Sequence, residues 1–171
     1  MYHHDLLSQA TRLARLDPGK PKQANLRRAV SAAYYALFHF LVDQSCRMMI
    51  GTQQSQGPYR QVLGRAFAHA DMKLACISFA GGTLKQSVSK GLPTEFVVPP
   101  EVREVANVFL YLQARRHDAD YDLTERFSRS GALLDIRDAE LAIKQFGAMT
   151  TSDAKKFFLA CLLAWKTLAN R

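Results

Sequence analysis

Proline occurs in only three places along this chain of 171 residues, and its distribution constrains the fold more than any other sequence feature. Because proline disrupts helix interiors, these places indicate where helices end or begin. The prolines are Pro18, Pro21, Pro58, Pro93, Pro99 and Pro100. Between them, apolar residues recur with the 3.6-residue period of an α-helix, and strand signals are nearly absent. The sequence therefore predicts an all-α bundle of five or six helices, forming a single domain over residues 1–171.

Apolar periodicity and end signals give approximate bounds for the helices. The predicted helices run from about Asp5 to Leu16, Gln23 to Ile50, Pro58 to Phe79, Pro100 through Leu112, Ala132 to Met149 and Asp153 to Ala169. Val62 and Met72 are expected to face the core from the third helix. Thr151 or Ser152 is expected to cap the last one. Residues 81–100 hold three glycines and three prolines, which predicts a long irregular loop.

Cysteine usage and the apolar runs indicate the cellular compartment. Cys46, Cys76 and Cys161 lie far apart in apolar stretches and form no CxxC pair, a pattern typical of reduced, buried thiols. The N-terminal residues show no secretory signal. The longest nearly apolar run, residues 32–42, has 11 residues, whereas a membrane span needs about 20. We therefore expect a cytoplasmic protein that does not enter a membrane.

The charge of the chain favours anionic partners. Its formal net charge is +8, which suits RNA, DNA or an acidic protein. The charge is uneven, because residues 1–73 hold ten basic and four acidic residues, whereas residues 117–140 hold three arginines and seven acidic residues. We expect one basic face and one acidic face, which in a dimer could form a basic cleft or bind a partner by charge complementarity.

The most distinctive run is Leu26-Arg-Arg-Ala-Val-Ser-Ala-Ala-Tyr-Tyr-Ala-Leu-Phe-His39. Its four alanines allow another helix to approach closely, and its three large aromatic residues supply packing area. One interpretation is a tightly packed helix pair, with Arg27 and Arg28 at its solvated end and His39 as a core histidine. Arg27 and Arg28 are also second-tier candidates for RNA binding.

A second run, residues 109–122, is too polar for a simple core helix. Within eight residues it holds two guanidinium groups, an imidazole, a phenol and three carboxylates. Arginine binds phosphate, and the other groups can move protons, as metal-free phosphodiester cleavage requires. The alternative is a ladder of ion pairs at helical spacing, from Arg115 to Asp118 and from Arg116 to Asp120.

A further pair, Arg65 and His69, lies four residues apart in the third predicted helix and hence on one face of it. Such a pair could grip a phosphate. The alternative is an ordinary solvated face of an amphipathic helix.

Motifs for cofactors and metals are missing. The sequence contains no P-loop, GxGxxG, HExxH or GxSxG motif and no metal-type spacing of cysteine and histidine. His3 and His4 form an isolated pair, which is a poor metal site. We therefore predict neither a cofactor nor a metal site.

Together, the two runs resemble a known family. The run from Arg27 to His39 resembles the second-helix signature of HEPN domains, and Arg116-His-Asp-Ala-Asp-Tyr121 resembles their polar motif near the end of a later helix. The resemblance implies a helical bundle that forms a symmetric dimer, with the polar motifs of both subunits in a cleft at the dimer axis. Many such domains are metal-independent endoribonucleases of toxin–antitoxin or phage-defence systems. They are often paired with a small nucleotidyltransferase.

The catalytic motif of that family is an arginine followed, after four to six residues, by a histidine. Here Asp120 stands where counting from Arg115 would place the histidine. On the first hypothesis the chain is an endoribonuclease that departs from this pattern. Arg115 and Arg116 then hold the scissile phosphate and stabilise the phosphorane, His117 transfers protons, and Tyr121 positions a nucleotide while the 2′-hydroxyl attacks.

On the second hypothesis the chain is a HEPN-like dimer that has lost catalysis and serves as an RNA-binding or protein-interaction subunit. Asp120 and Asp122 then act as ion-pair and capping groups. Arg65 and His69 are second-tier candidates if the third helix borders the cleft. The expected partners are a second copy of the chain, RNA, and a nucleotidyltransferase-type or other acidic protein.

Overall fold

The computed structural model describes residues 1–170, which form eight α-helices and one short 3₁₀-helix and contain no strand. The helices are α1 (Tyr2–Arg15), α2 (Gln23–Ile50), α3 (Gly57–Gly64), α4 (His69–Ala80), α5 (Gln86–Ser89), α6 (Pro100–Tyr121), α7 (Arg129–Ala148) and α8 (Asp153–Ala169). The predicted all-α class is confirmed. The number of helices is higher than the predicted five or six, because one predicted helix is divided and a four-residue helix lies in the predicted loop.

The helices group into two compact units. The first unit comprises Met1–Phe40 and Val108–Gly147, and the second comprises Leu41–Asn107 and residues 148–170. Both α2 and α6 contribute residues to each unit. The organisation of the chain as a single domain stays a prediction.

The core of the first unit is built on α2, whose predicted bounds are confirmed. Leu26, Val30 and Leu37 are fully buried, as their helical spacing predicts. Tyr34 is also fully buried, and its ring centroid lies 5.5 Å from that of Phe109 on α6. The aromatic run therefore serves mainly as core, which is its usual role.

The first helix begins three residues earlier than predicted. It starts at Tyr2 and ends at Arg15, so Leu16 lies outside it and is exposed. The side of α1 that is buried carries His3, Leu7, Ala10 and Ala14. These residues recur at intervals of three and four, which is the period of one helix face.

The predicted helix from Pro58 to Phe79 is wrong, because the chain forms two helices there. Residues 65–68 are not helical and separate α3 from α4. Gly64, a weak helix former, ends α3. Phe67 lies in the break and is buried, whereas Val62, expected in the core, is 66% exposed. In this segment a residue outside the helices, Phe67, occupies the core, and Val62 does not.

The second unit is centred on α4 and α8, which pack against each other. Phe79 is fully buried, and its ring centroid lies 5.0 Å from that of Phe158 and 6.1 Å from that of Trp165. Residues 81–99 are irregular apart from α5, and α6 starts at Pro100 as predicted. All three cysteines are buried free thiols, which confirms that part of their interpretation.

Within the described part of the chain, no helix combines the length and the apolar character needed to cross a membrane.

The cap of α8 gives a first prediction. The Ser152 hydroxyl accepts a hydrogen bond from the backbone N–H of Lys155, whereas the adjacent Thr151 is exposed. We expect Ser152→Ala to lower the free energy of unfolding by about 1 kcal/mol, because one N–H of the first turn loses its partner. Thr151→Ala should change it by less than about 0.5 kcal/mol. Urea unfolding followed by circular dichroism measures both values. Equal losses in the two variants would contradict this assignment of the cap.

Candidate functional site

Arg116, near the end of α6, is enclosed by side chains of its own unit. Its guanidinium carbon lies 5.5 Å from the ring centroid of Tyr35 and 5.6 Å from that of Tyr121. Its Nη2 donates a hydrogen bond to the Tyr35 hydroxyl at 3.0 Å. Its Nε lies 2.7 Å from Oδ2 of Asp120. The ion pair with Asp120 is the one that the predicted ladder contained.

Asp120, at the position that the family motif gives to histidine, is engaged through both of its oxygens. Oδ2 pairs with Arg116, and Oδ1 accepts a hydrogen bond of 2.6 Å from the hydroxyl of Ser31 on α2. Only 24% of the Asp120 side chain is exposed. Neither oxygen of this carboxylate is therefore free to exchange a proton with a substrate while both contacts are made.

The same surroundings keep Arg116 charged. Burial lowers the pKa of its guanidinium, but the oxygens of Tyr35 and Asp120 raise the pKa by more, so the net shift is upward. Arg116 is a cation in any case, as arginine is in proteins, and the carboxylate of Asp120 is its ion-pair partner. A phosphate that bound here would have to compete with Asp120.

The predicted ladder paired Arg115 with Asp118, but this pair does not form. The Nε of Arg115 lies 3.3 Å from Oδ2 of Asp135 on α7, and its Nη1 lies 3.8 Å from Oε1 of Glu125. Asp135 is fully buried, and its other oxygen accepts a hydrogen bond of 2.8 Å from the Tyr111 hydroxyl. Asp135, and not Asp118, is therefore the buried carboxylate that pairs with Arg115.

One interpretation of the sequence placed Arg27 at a solvated helix end. In the structure Arg27 is instead bound to the end of α6. Its two terminal nitrogens donate hydrogen bonds to four backbone carbonyls, those of Asp118 at 3.3 Å, Ala119 at 2.9 Å, Asp122 at 2.8 Å and Glu125 at 2.7 Å. The last carbonyls of a helix have no partner within the helix, and Arg27 supplies one. The role of Arg27 seen here is therefore to cap α6.

Phe127 lies against two of these arginines. The guanidinium carbon of Arg27 is 5.3 Å from its ring centroid, and that of Arg115 is 4.6 Å away. Phe127 is 4% exposed, so both cation–π contacts are shielded from water. These contacts fix the segment after α6 beside both arginines.

His117, Tyr121 and Arg28 are candidates that are exposed and, unlike Asp120, have no ion pair within the described residues. The rings of His117 and Tyr121 are 5.0 Å apart, and Tyr121 is 65% exposed. The Tyr121 ring lies beside both the His117 ring and the Arg116 guanidinium, so an imidazole, a phenol and a guanidinium are neighbours at the end of α6. This surface can stack on a base and donate hydrogen bonds to an anion.

Arg65 and His69 do not share a helix face. Arg65 is the C-terminal cap of α3, and His69 is the first residue of α4. Both belong to the second unit, whereas the contacts of the cluster around Arg116 are made within the first. The predicted placement of this pair on one face of a single helix is therefore wrong.

Three residues that hold the cluster together were not predicted from the sequence, namely Ser31, Tyr35 and Asp135. A weak signal existed for two of them. Ser31 is the one hydroxyl among small residues in its stretch of α2, and Asp135 lies on the apolar face that Ala132, Ile136 and Ala139 define. A polar residue in a core position usually has a specific partner.

Comparisons of the chain with family models, with curated proteins and with solved structures found no match. The resemblance to HEPN domains therefore depends on the two sequence runs alone. Within residues 1–170, no group of three or more histidine, cysteine, aspartate or glutamate residues is placed so that it could hold a metal ion.

The contacts of Arg27 generate a second prediction. We expect Arg27→Met to lower the free energy of unfolding by about 3 kcal/mol, because partly buried carbonyls lose charge-assisted hydrogen bonds. The matched change at the exposed neighbour, Arg28→Met, should stay within about 0.5 kcal/mol of the wild type. Urea unfolding measures both. If Arg27→Met were as stable as Arg28→Met, the capping role would be wrong.

Asp135 generates a prediction about pH. Burial raises its pKa above the ordinary 3.8, more than the hydrogen bond from Tyr111 and the charge of Arg115 lower it. Folding then favours the protonated form, so the contribution of this carboxyl is complete below its unfolded pKa and declines as pH rises through its folded pKa. We expect the stability of the wild type relative to Asp135→Asn to be greater at about pH 4 than at about pH 7.

The measurement is the free energy of unfolding of both proteins in urea across that range. The control is Glu140→Gln, which removes an exposed carboxyl from the same helix and should show little of this trend. A relative stability that increases with pH would mean that the pair with Arg115 lowers the pKa of Asp135 instead.

Proposed function

We propose that this chain is a HEPN-like, RNA-associated protein that works as a symmetric homodimer in a toxin–antitoxin or defence system. Of the two versions of this function, we favour the one in which the dimer binds RNA without cleaving it. The chain then acts as the RNA-binding subunit, and a nucleotidyltransferase-type or other acidic protein is its expected partner.

One observation carries the choice between the two versions: the carboxylate of Asp120 is held by both Arg116 and Ser31. Metal-free cleavage requires a group that gives and takes protons near neutral pH. At this position the family has a histidine, whereas this chain has an aspartate whose two oxygens are already bound inside the protein. Arg115 is likewise paired with Asp135. The groups that would stabilise the phosphorane are therefore bound to carboxylates.

RNA association is supported by the charge and by the exposed groups at the end of α6. The net charge of +8 favours a polyanion, and Arg28 is exposed. The ring of Tyr121 is exposed and lies beside His117, an arrangement suited to stacking on an unpaired base. The acidic residues in the stretch 117–140 limit how strongly this surface attracts a duplex.

The endoribonuclease is the second candidate, and the exposure of His117 favours it. If the phosphate of a bound RNA displaced Asp120 from Arg116, the guanidinium would contact the phosphate while the adjacent imidazole accepted the 2′-hydroxyl proton. The cost of breaking the pair between Arg116 and Asp120 is the reason we place this version second.

The test is RNA binding by the purified protein at several salt concentrations, beside two tyrosine variants. We expect binding that weakens steeply with salt. Tyr121→Ala should weaken it by about tenfold, because one stacked base is lost. The control is Tyr59→Ala on α3, a tyrosine 68% exposed in the second unit, which should change affinity by less than about twofold.

The same samples are incubated with RNA in EDTA, beside Arg116→Ala and His117→Ala. The favoured version predicts intact RNA in every sample. Cleavage that leaves cyclic-phosphate ends, and that is lost in both variants, would establish the second candidate instead. The absence of salt-dependent RNA binding from a folded wild type would contradict the proposal as a whole.

A further inference from the structure

The surface of the first unit carries both an apolar pocket and a protruding leucine. The pocket is open to solvent, has a volume of about 590 Å³, and lies between the connection from α1 to α2 and the start of α7. Its walls are largely apolar and include Pro21, Phe127 and Leu133. The leucine is Leu123, in the segment between α6 and α7. At 84% exposure it is the most exposed of the large apolar side chains in residues 1–170.

Leu123 lies on a turn that hydrogen bonds fix from both sides. Oδ1 of Asp122 accepts from the backbone N–H of Thr124 at 2.8 Å and from the Thr124 hydroxyl at 2.6 Å. The carbonyls of Asp122 and Glu125 accept from Arg27 at 2.8 Å and 2.7 Å. A single exposed leucine is ordinary on a protein surface. A leucine on a fixed turn is preorganised for docking, because binding it costs less conformational entropy than ordering a mobile loop.

Contacts with α2 hold the pocket and Leu123 side by side. The side-chain amide of Gln23 binds the backbone of Phe127, donating to its carbonyl at 2.8 Å and accepting from its N–H at 2.9 Å. Arg27, one helical turn later on the same face of α2, binds the turn that carries Leu123. The guanidinium carbon of Arg27 also lies 5.3 Å from the ring centroid of Phe127, which lines the pocket. The pocket and the leucine therefore belong to one continuous surface.

The pocket and the turn are also complementary in charge. Lys20 and Arg129 contribute to the pocket, and none of the described residues that line it is acidic. Leu123 is instead flanked by carboxylates, since Asp122 is exposed and 43% of the Glu125 side chain is exposed. A leucine between carboxylates matches an apolar pocket with cations around it. The segment that carries Leu123 thus has the chemistry that this pocket recognises.

We propose that the pocket binds Leu123 of a second copy of this chain, and that two copies exchange this contact around a two-fold axis. A leucine and a pocket on the same surface permit a closed pair, because each copy can present both to the other. On opposite surfaces they would generate an open chain of copies instead. The proposal rests on the homodimer of the proposed function and names the surface that forms it. Because Tyr121 lies two residues before Leu123, the docking brings the ends of both α6 helices towards the axis.

Cross-linking between two single variants tests the contact itself. Leu123→Cys is mixed with a longer, tagged form of Leu133→Cys, allowed to exchange subunits, and treated with a short bis-maleimide. The natural cysteines give little background, because all three are buried. We expect a product that contains one copy of each variant. The matched control, tagged Leu134→Cys, alters the next residue, which is exposed and does not line the pocket, and should give little of this product. Equal yields from the two mixtures, or no product from either, would overturn the proposal.

Sedimentation equilibrium measures how strongly two copies associate. We expect Leu123→Asp to raise the dissociation constant of the dimer at least about tenfold, because a carboxylate replaces the docked leucine. The control Leu141→Asp alters a leucine on α7 that is 41% exposed, and should change the constant by less than about twofold. Lys20→Glu should also raise it about tenfold, whereas Lys22→Glu, at an exposed lysine outside the pocket, should change it by less than about threefold. Equal effects within either pair of variants would contradict the docking.

These measurements separate the docking from the proposed function. A dimeric wild type whose association is unchanged by Leu123→Asp would overturn the docking and leave the homodimer intact. A monomeric wild type would overturn both the docking and the homodimer. Salt-dependent RNA binding by the same wild type is measured independently, so the failure of RNA association is distinguished from the failure of either.

Discussion

The hydrogen bonds of Arg27 to four backbone carbonyls are the interaction on which the rest of the first unit depends. A helix end leaves carbonyls without partners, and at the end of α6 these would lie against α2. Arg27 binds the carbonyls of Asp118, Ala119, Asp122 and Glu125 at once, so the last turn of α6 and the segment after it are fixed to α2. A lysine could not do this, because it lacks the planar fork of donors.

The polar groups of α6 are ordered by this attachment. With the end of α6 fixed, Asp120 lies beside Ser31, Arg116 lies beside Tyr35, and Phe127 lies against two guanidinium groups. The polar side chains at the end of α6 that suggested catalysis thus serve largely to hold the structure together. The groups that face solvent, above all Tyr121 and His117, are suited to recognition. These contacts support the proposed RNA-binding version of the function over the endoribonuclease version.

Features that depend on residues close together in sequence, such as helix bounds and ion pairs within one helix, were predicted well. The bounds of α2 and α8 were predicted correctly, because each has a strong apolar period and a clear end signal, such as Gly51 after α2, which has the left-handed φ of +104°. The pair of Arg116 with Asp120 was predicted for the same reason, since residues four apart meet on a helix. The division between α3 and α4 was not predicted, because the core position of Phe67, which lies outside both helices, cannot be recognised from helical spacing.

The remainder of the site depends on contacts between helices far apart in sequence. Nothing local to Arg115 indicates that Asp135, twenty residues later, is its partner, or that Tyr111 shares that carboxylate. Likewise, the attachment of Arg27 to carbonyls about ninety residues away follows only from the packing of α2 against α6. Such pairs require the tertiary structure, because sequence spacing gives no information on which helix faces meet.

The central claim is that Arg116 is committed to partners inside the protein, and a double-mutant cycle between Arg116 and Asp120 tests it most directly. The free energy of unfolding is measured for the wild type, Arg116→Ala, Asp120→Ala and the double variant. We expect a favourable coupling energy of about 1 kcal/mol, at the upper end for a partly exposed pair. Effects that add to within about 0.3 kcal/mol would show that the two side chains are not coupled, and would contradict the commitment of Arg116 to Asp120.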